Sequence, residues 1–429
     1  MTKSNSTISR SVPSKMRLSQ VSEPALMRMP PGTLPFDGLM ISSMLALMLT
    51  GFVMISSASM DVAADNFGTP FFFIMRHGLF VIMSLLAFSV LVRIPMKVWE
   101  RFSVWLLFIG LLLLVIVLIP GIGREVNGSR RWIGLGSFNL QASEIAKLCM
   151  VMFISGYLVR RLHEVRSTWK GVIKPALPLA FYVFALYLEP DYGAIVVTTA
   201  TVMGMIFLGG MKPLQLVTLV TIVSSLVGAM ALSQPYRLAR LKSFADPWAD
   251  PYGAGYQLSQ AQIAFGRGDW FGAGLGNSVQ KLFYLPEAHT DFVYSVLAEE
   301  LGFIGALVVV ALYCVLITRM FLVGRQAESQ RQFFMSYVAY GFAFVLAGQA
   351  LINIGVNVGA LPTKGLTLPL MSYGGSSLLV CAGMIAVVQR IDLELKRERL
   401  GITSKPGFIG RIWQRFMGRS DSGRQEGVA

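Results

Sequence analysis

Runs of about 20 apolar residues recur along the chain, and each can cross a ~30 Å hydrocarbon layer as a helix. They fall at roughly 38–59, 70–93, 102–120, 143–160, 175–189, 192–210, 213–233, 292–318, 333–356 and 366–389. None alternates apolar and polar residues as a spanning β-strand does. The pattern therefore predicts an all-α polytopic membrane protein with ten transmembrane helices. Most connections are short. Residues 121–143 read as a polar loop, and a large loop, 234–291, separates the seventh helix from the eighth. The flanks read as a flexible tail rich in Ser, Pro and basic residues (1–37) and a basic tail (393–429) around a membrane domain at 38–392. The first of these has the polar, basic look of an uncleaved segment rather than a signal peptide, so the first helix would serve as its own insertion signal.

Composition supports this reading. The chain has 429 residues, 54% hydrophobic and only 14% charged, with mean hydropathy +0.60, against roughly 25% charged in soluble domains. The formal charge of +14 raises the possibility of nucleic acid. The basic residues flank the spans, however, which is where they set orientation, so no nucleic acid is expected. Most of the 37 Lys and Arg lie in loops on the side of the two tails. That asymmetry places both termini in the cytoplasm and the 234–291 loop on the outer face. Cys149, Cys314 and Cys381 all sit in apolar runs and form no CxxC pair, so they read as small buried hydrophobes.

Against this background the stretch Tyr252–Gly302 stands out. A glycine-rich polar loop ends in Pro286-Glu287-Ala288-His289-Thr290-Asp291 and becomes apolar from Phe292. Asp291 is thus expected at the mouth of a helix, where a carboxylate stays charged only if solvated or paired. Two readings are open for it: a helix N-cap or a catalytic group. On an extended segment Glu287, His289 and Asp291 would point the same way and offer metal ligands. Gly266, Gly268, Gly272, Gly274 and Gly276 suit either a backbone cradle for phosphate or an interfacial turn with Trp270 and Phe271 dipping into lipid.

Several cations run against the charge bias on the outer side: Arg130, Arg131, Arg237, Arg240, Lys242, Arg267, Lys281 and Lys364. An anionic ligand such as a diphosphate would explain them, as would lipid headgroups. Charges also fall within spans or at their ends. Glu144 and Lys147 share one helix face and read as a structural pair. Arg76 lies in the second span, while Glu189 and Asp191 flank Pro190 and suit either structural pairing or the lining of an outer cavity. The Pro- and Gly-dense run from Leu361 to Ser377 should break the start of the last helix beside a cavity.

At these residues the chain resembles the SEDS family (shape, elongation, division, sporulation) of polytopic cell-wall polymerases, over roughly 38–392. The carriers are LPEAHTDF (285–292), GLTLPLMSYGGSS (365–377), SRRWIGLG (129–136), SEIAK (143–147) and EPDYG (189–193). LPTKGLTLP (361–369) and LAEELG (297–302) are more similar to the cell-division branch than to the elongation branch. Ala142 stands where the family usually has proline, a departure that bears on how the fourth helix starts.

The resemblance implies a peptidoglycan glycosyltransferase. It would polymerise lipid II on the outer face of the cytoplasmic membrane, by inverting transfer with release of undecaprenyl diphosphate. It assigns Asp291 as the base and Arg131, Lys364 and Tyr373 as cavity residues. Arg237, Arg240 and Lys281 join them as candidate diphosphate ligands on charge alone. Glu287 is a supporting residue or, with Asp291, a ligand for a divalent cation (Mg or Mn), and His289, Glu189, Asp191, Glu144 and Lys147 are supporting residues. The implied partners are a class B penicillin-binding protein, which is the septal transpeptidase, other divisome proteins and membrane lipid. The implied location is the division septum of the inner membrane. A lipid II flippase and a non-catalytic divisome scaffold are the competing readings. A flippase would place polar residues through the full bilayer depth on repeated, broken helices, whereas here they cluster on the outer half without an internal repeat.

Overall fold

The computed structural model describes residues 35–126, 129–136, 138–232, 243–253, 255–362 and 365–401. By contacts the chain divides into a unit spanning Phe36–Leu395 and a second unit made of its two terminal segments. The description that follows is of the first. Most of the two predicted tails lies outside the described residues.

The apolar runs form helices in the expected order. They are α1 (Gly38–Phe67), α2 (Phe72–Leu91), α3 (Met96–Leu118), α4 (Ala142–Ser167), α5 (Trp169–Leu188), α6 (Tyr192–Leu208) and α7 (Pro213–Leu232). After a shorter helix, α8 (Tyr256–Gly268), come α9 (Val293–Ser329), α10 (Phe333–Asn357) and α11 (Gly375–Arg399). Among the described residues, seven helices are both long and apolar enough to cross a bilayer: α1 to α5, α9 and α10. Tyr192–Leu208 and Pro213–Ser225 are shorter apolar stretches. The multi-pass, mostly helical membrane architecture follows from these elements.

Burial sorts the helices into layers. α4 and α11 are enclosed, and almost every side chain of α11 from Gly375 to Leu393 is buried. α2 and α3 instead expose large apolar side chains, among them Leu79, Ile82, Leu86, Trp105, Phe108 and Leu112, as a lipid-facing surface requires. One end of the bundle is tied by Asp37. Its carboxylate caps Met40 at 3.0 Å and pairs with Arg319, while Gln389 bonds both its N–H and its carbonyl. The opposite end carries the motifs singled out in the sequence.

Several boundaries differ from expectation: α1 runs past 59 to Phe67 and α4 past 160 to Ser167. The 121–143 loop is a three-stranded antiparallel sheet, β1 (Gly123–Val126), β2 (Ser129–Leu135) and β3 (Phe138–Gln141), in the order β1-β2-β3. Trp132 pairs with both Arg124 and Gln141. Polar residues interspersed with Trp, Ile and Leu are what a short, half-exposed sheet needs, and the sequence reading took them for loop. β3 runs directly into α4. The helix begins at Ala142 itself, so the absence of proline there leaves its start intact. α9 continues past the predicted end at 318 to Ser329, and it bends at Gly302, whose φ of 70° only glycine adopts freely. α11 starts at Gly375 rather than 366, because Pro369, Gly374 and a left-handed Leu370 hold the preceding segment out of helix.

Candidate active site

The Asp291 loop is fixed at both ends. On its N-terminal side the Lys281 ammonium is buried against Glu300 (2.9 Å), the Ser57 hydroxyl (2.9 Å) and the Gly276 carbonyl (2.7 Å). On its C-terminal side the main-chain carbonyl of Asp291 accepts from the side-chain amides of Asn353 and Asn357, both at 2.9 Å. Between these anchors the chain turns rather than extends. Glu287 has a left-handed φ of 58°, and its carbonyl accepts from the N–H groups of Thr290, Asp291 and Phe292. The α9 cap position is Phe292, one residue beyond Asp291. Asp291 itself is half-buried, with its carboxylate lying against Gly365.

Beside it is an aromatic cluster. The His289 carbonyl accepts from the Tyr373 N–H at 3.1 Å. The His289 ring lies 4.9 Å from Phe73 and 5.8 Å from Tyr373, and Phe73 meets Tyr373 edge-on at 5.2 Å. α2 thereby packs against both the Asp291 loop and the Pro–Gly segment. Burial lowers the pKa of His289, with Glu287 opposing, so the imidazole is neutral at pH 7. Burial raises that of Tyr373, with Arg76 opposing, so its hydroxyl stays a donor.

The third component is the turn between α5 and α6. Asp191 caps α6 through the Ala194 N–H (3.2 Å) and accepts from Ser143 (2.9 Å) and Gln141 (3.4 Å), tying α6 to the start of α4. Arg131, on β2, donates to the carbonyls of Glu189 (3.2 Å) and Pro190 (2.6 Å). Its other N–H groups make no hydrogen bond among the described residues. The Glu189 carboxyl is fully buried, and neither oxygen has a hydrogen-bond partner among the described residues. Burial first, then Asp191, push its pKa up to about 9, with Arg131 opposing, so it is a neutral acid at pH 7. This turn reaches the Asp291 region through Gly193, where a side chain would run into Leu366 at 2.5 Å. Leu366 in turn shares the Asn353 amide with Asp291, its carbonyl accepting at 2.6 Å.

Other candidates play different parts. Glu144 and Lys147 form a buried pair at 2.8 Å, supported by Gln349, as the structural reading expected. Lys281 is spent on Glu300 and is not available to a diphosphate. The glycine-rich loop does not cradle an anion with its N–H groups either. Ala273 and Gly274 donate to the carbonyls of Glu299 and Glu300, and a Cβ on Gly272 would sit 2.2 Å from the Glu300 carbonyl oxygen. The loop is packed on the α9 bend, with Trp270 and Phe271 exposed. Arg130 pairs with Glu125 at the surface. Arg237, Arg240, Lys242 and Lys364 lie outside the described residues.

The three candidate metal ligands do not lie on an extended segment. The Glu287 carboxylate accepts the Thr290 hydroxyl at 2.6 Å, and His289 faces the aromatic cluster. Among the described residues no group of three or more His, Cys, Asp or Glu side chains is placed to hold a metal ion. The alternation argument failed because it assumed an extended strand where the chain makes a turn.

Sequence reasoning missed Asn353 and Asn357. They are four apart and so share a helix face, and two amides buried in an apolar helix are costly unless bonded; that spacing was the available signal. It also missed Glu299, which is bonded by Arg267 (2.8 Å), the Ser278 hydroxyl and the Val279 N–H (2.9 Å), and which binds the large loop to α9.

Known proteins resemble this chain in sequence and fold. A probable peptidoglycan glycosyltransferase FtsW from Halomonas elongata is 52% identical over 365 residues, covering 85% of this chain and 92% of that one. One from Pseudomonas fluorescens is 52% identical over 363 residues, covering 84% and 89%. Among solved structures, a chain from a peptidoglycan synthase complex that coordinates polymerization and crosslinking superposes with a TM-score of 0.71 at 29% identity, covering 85% of this chain and 99% of that one. The rod shape determining protein RodA of Thermus thermophilus gives 0.62 at 28% identity, covering 84% and 98%. With residues 37–397 matching the family described as cell cycle protein, the chain belongs to the FtsW/RodA/SpoVE family and is FtsW-like within it.

Proposed function

We propose that this protein is a peptidoglycan glycosyltransferase of cell division, polymerising lipid II into glycan strands with Asp291 as the base. One observation carries the assignment. Asp291, the α5–α6 turn that Arg131 braces and the Pro–Gly segment 365–374 meet at one end of the bundle, joined through Asn353 and Leu366. The name shared by relatives about half identical over most of the chain points to the same activity.

In this mechanism the 4-hydroxyl of the acceptor GlcNAc attacks C1 of a MurNAc. Its proton passes to the Asp291 carboxylate as the C1–O bond to the lipid diphosphate breaks. The α linkage becomes β, a single inversion needing one base and stabilisation of a leaving group that requires no proton. Arg131, braced by two carbonyls, offers its remaining N–H groups to the diphosphate. Lys364 adds a second positive charge, and the Tyr373 phenol a neutral donor. Among the described residues no three such ligands are grouped, and no step is routed through Mg or Mn.

The active assembly is read as a complex with a class B penicillin-binding protein and other divisome proteins at the septum of the inner membrane. Both termini lie in the cytoplasm and the Asp291 end faces outward. A structural relative in a synthase that couples polymerization to crosslinking supports such a partner. The test is reconstitution with purified lipid II and the transpeptidase, with and without EDTA. Glycan chains are expected, and their absence in a folded, partner-bound sample contradicts the assignment. Loss with EDTA assigns a metal requirement, and retention removes it.

A further inference from the structure

We infer that Asn353 and Asn357 of α10 are the positioning residues that aim the Asp291 carboxylate; the inference rests on Asp291 being the base. Both amides donate to the Asp291 carbonyl at 2.9 Å, so the main chain carrying the base is held from two points on one helix face. Each amide also bonds a second element. Asn353 donates to the Leu366 carbonyl at 2.6 Å, which keeps the 365–368 segment beside the carboxylate. The Asn357 carbonyl oxygen accepts from the Ser295 N–H at 3.0 Å and from its hydroxyl at 2.7 Å. That N–H also donates to the Phe292 carbonyl at 3.0 Å, so Asn357 adds a second acceptor in the first turn of α9, whose own N-cap makes no side-chain bond. Asn357 therefore braces the start of α9 from a neighbouring helix while gripping the residue before its N-cap.

The physical consequence is preorganisation. Asp291 ends a loop of turns with no regular structure, in which side-chain direction is set by main-chain orientation. Fixing its carbonyl on one side and Gly365 on the other leaves the carboxylate little freedom, at no cost when substrate arrives. Neither amide has to touch lipid II. Both are buried, and each bonds the Asp291 carbonyl together with a segment that flanks it.

Asn353→Ala and Asn357→Ala, purified with the partner transpeptidase, test this with lipid II polymerisation kinetics per folded molecule. A 1 Å misplacement of a catalytic group costs on the order of 100-fold. The expectation is a fall of about that size in kcat for the double variant and a smaller one for each single variant. KM for lipid II should stay within about twofold of wild type. Asn357→Ser, which retains a short hydroxyl donor, should recover part of the loss. Thermal unfolding and partner pull-down, run alongside, give the folded fraction. An unchanged kcat per folded molecule, or a loss expressed in KM, overturns the inference. If Asp291→Asn still polymerises, the reading of the base itself fails. If Asp291→Asn is dead while the Asn variants turn over normally, only the positioning role fails.

Discussion

Asp291 and Gly365 are in contact across the site: a Cβ placed on Gly365 would lie 3.2 Å from Asp291 Oδ2. That distance is tight enough that one of the two groups must shift by a few tenths of an ångström. Gly365→Ala should therefore move the carboxylate without unfolding the protein, lowering kcat about tenfold with thermal stability nearly unchanged. Gly365→Val should lower it further. A Gly365→Ala enzyme with wild-type kcat would mean that the space behind the carboxylate does not set its position.

Glu189 gives a pH signature. Its pKa is raised to about 9 in the folded protein from the ordinary 4.5. The stabilisation of its neutral form is complete below 4.5 and is lost as pH rises through about 9. Unfolding temperature measured from pH 5 to 10 should decline in part through this group. Glu189→Gln, a permanently neutral isostere, should flatten the decline. An identical slope in wild type and variant would show that Glu189 is already ionised.

Lys281 separates structure from binding. Removing it leaves Glu300 buried with only hydroxyl and N–H donors. Breaking such a pair costs about 3–5 kcal/mol. Lys281→Ala should lower the unfolding temperature sharply, with KM for lipid II unchanged in the fraction that folds. A raised KM at normal stability would restore its assignment as a diphosphate ligand.

Arg131 is braced on two carbonyls by different guanidinium nitrogens. A lysine is a point charge and cannot keep both contacts while facing an anion. Arg131→Lys should raise KM for lipid II about tenfold, the worth of one charge-assisted hydrogen bond. Unchanged kinetics would place the diphosphate elsewhere.

The helical architecture was legible because apolar runs of spanning length have few alternatives. The place of Asp291 just ahead of α9 was legible because the chain turns apolar at Phe292. What was lost depended on local conformation or distant partners. The left-handed φ at Glu287 undid the metal alternation, and the sheet at 123–141 was hidden among its polar residues. Lys281 was read as free because Glu300 and Ser57 lie far along the chain, and nothing local announces that pairing. Asn353 and Asn357 take their role from a carbonyl some 60 residues away in sequence.

The most direct test is Asp291→Asn, assayed for glycan chain formation from purified lipid II with the partner transpeptidase bound. The loop is anchored through the Asp291 main-chain carbonyl, which the substitution leaves in place, so the variant should fold, insert and bind its partner. Only the group that takes the proton is removed. No glycan chains from a folded, partner-bound variant is the predicted result. Polymerisation near the wild-type rate would contradict it.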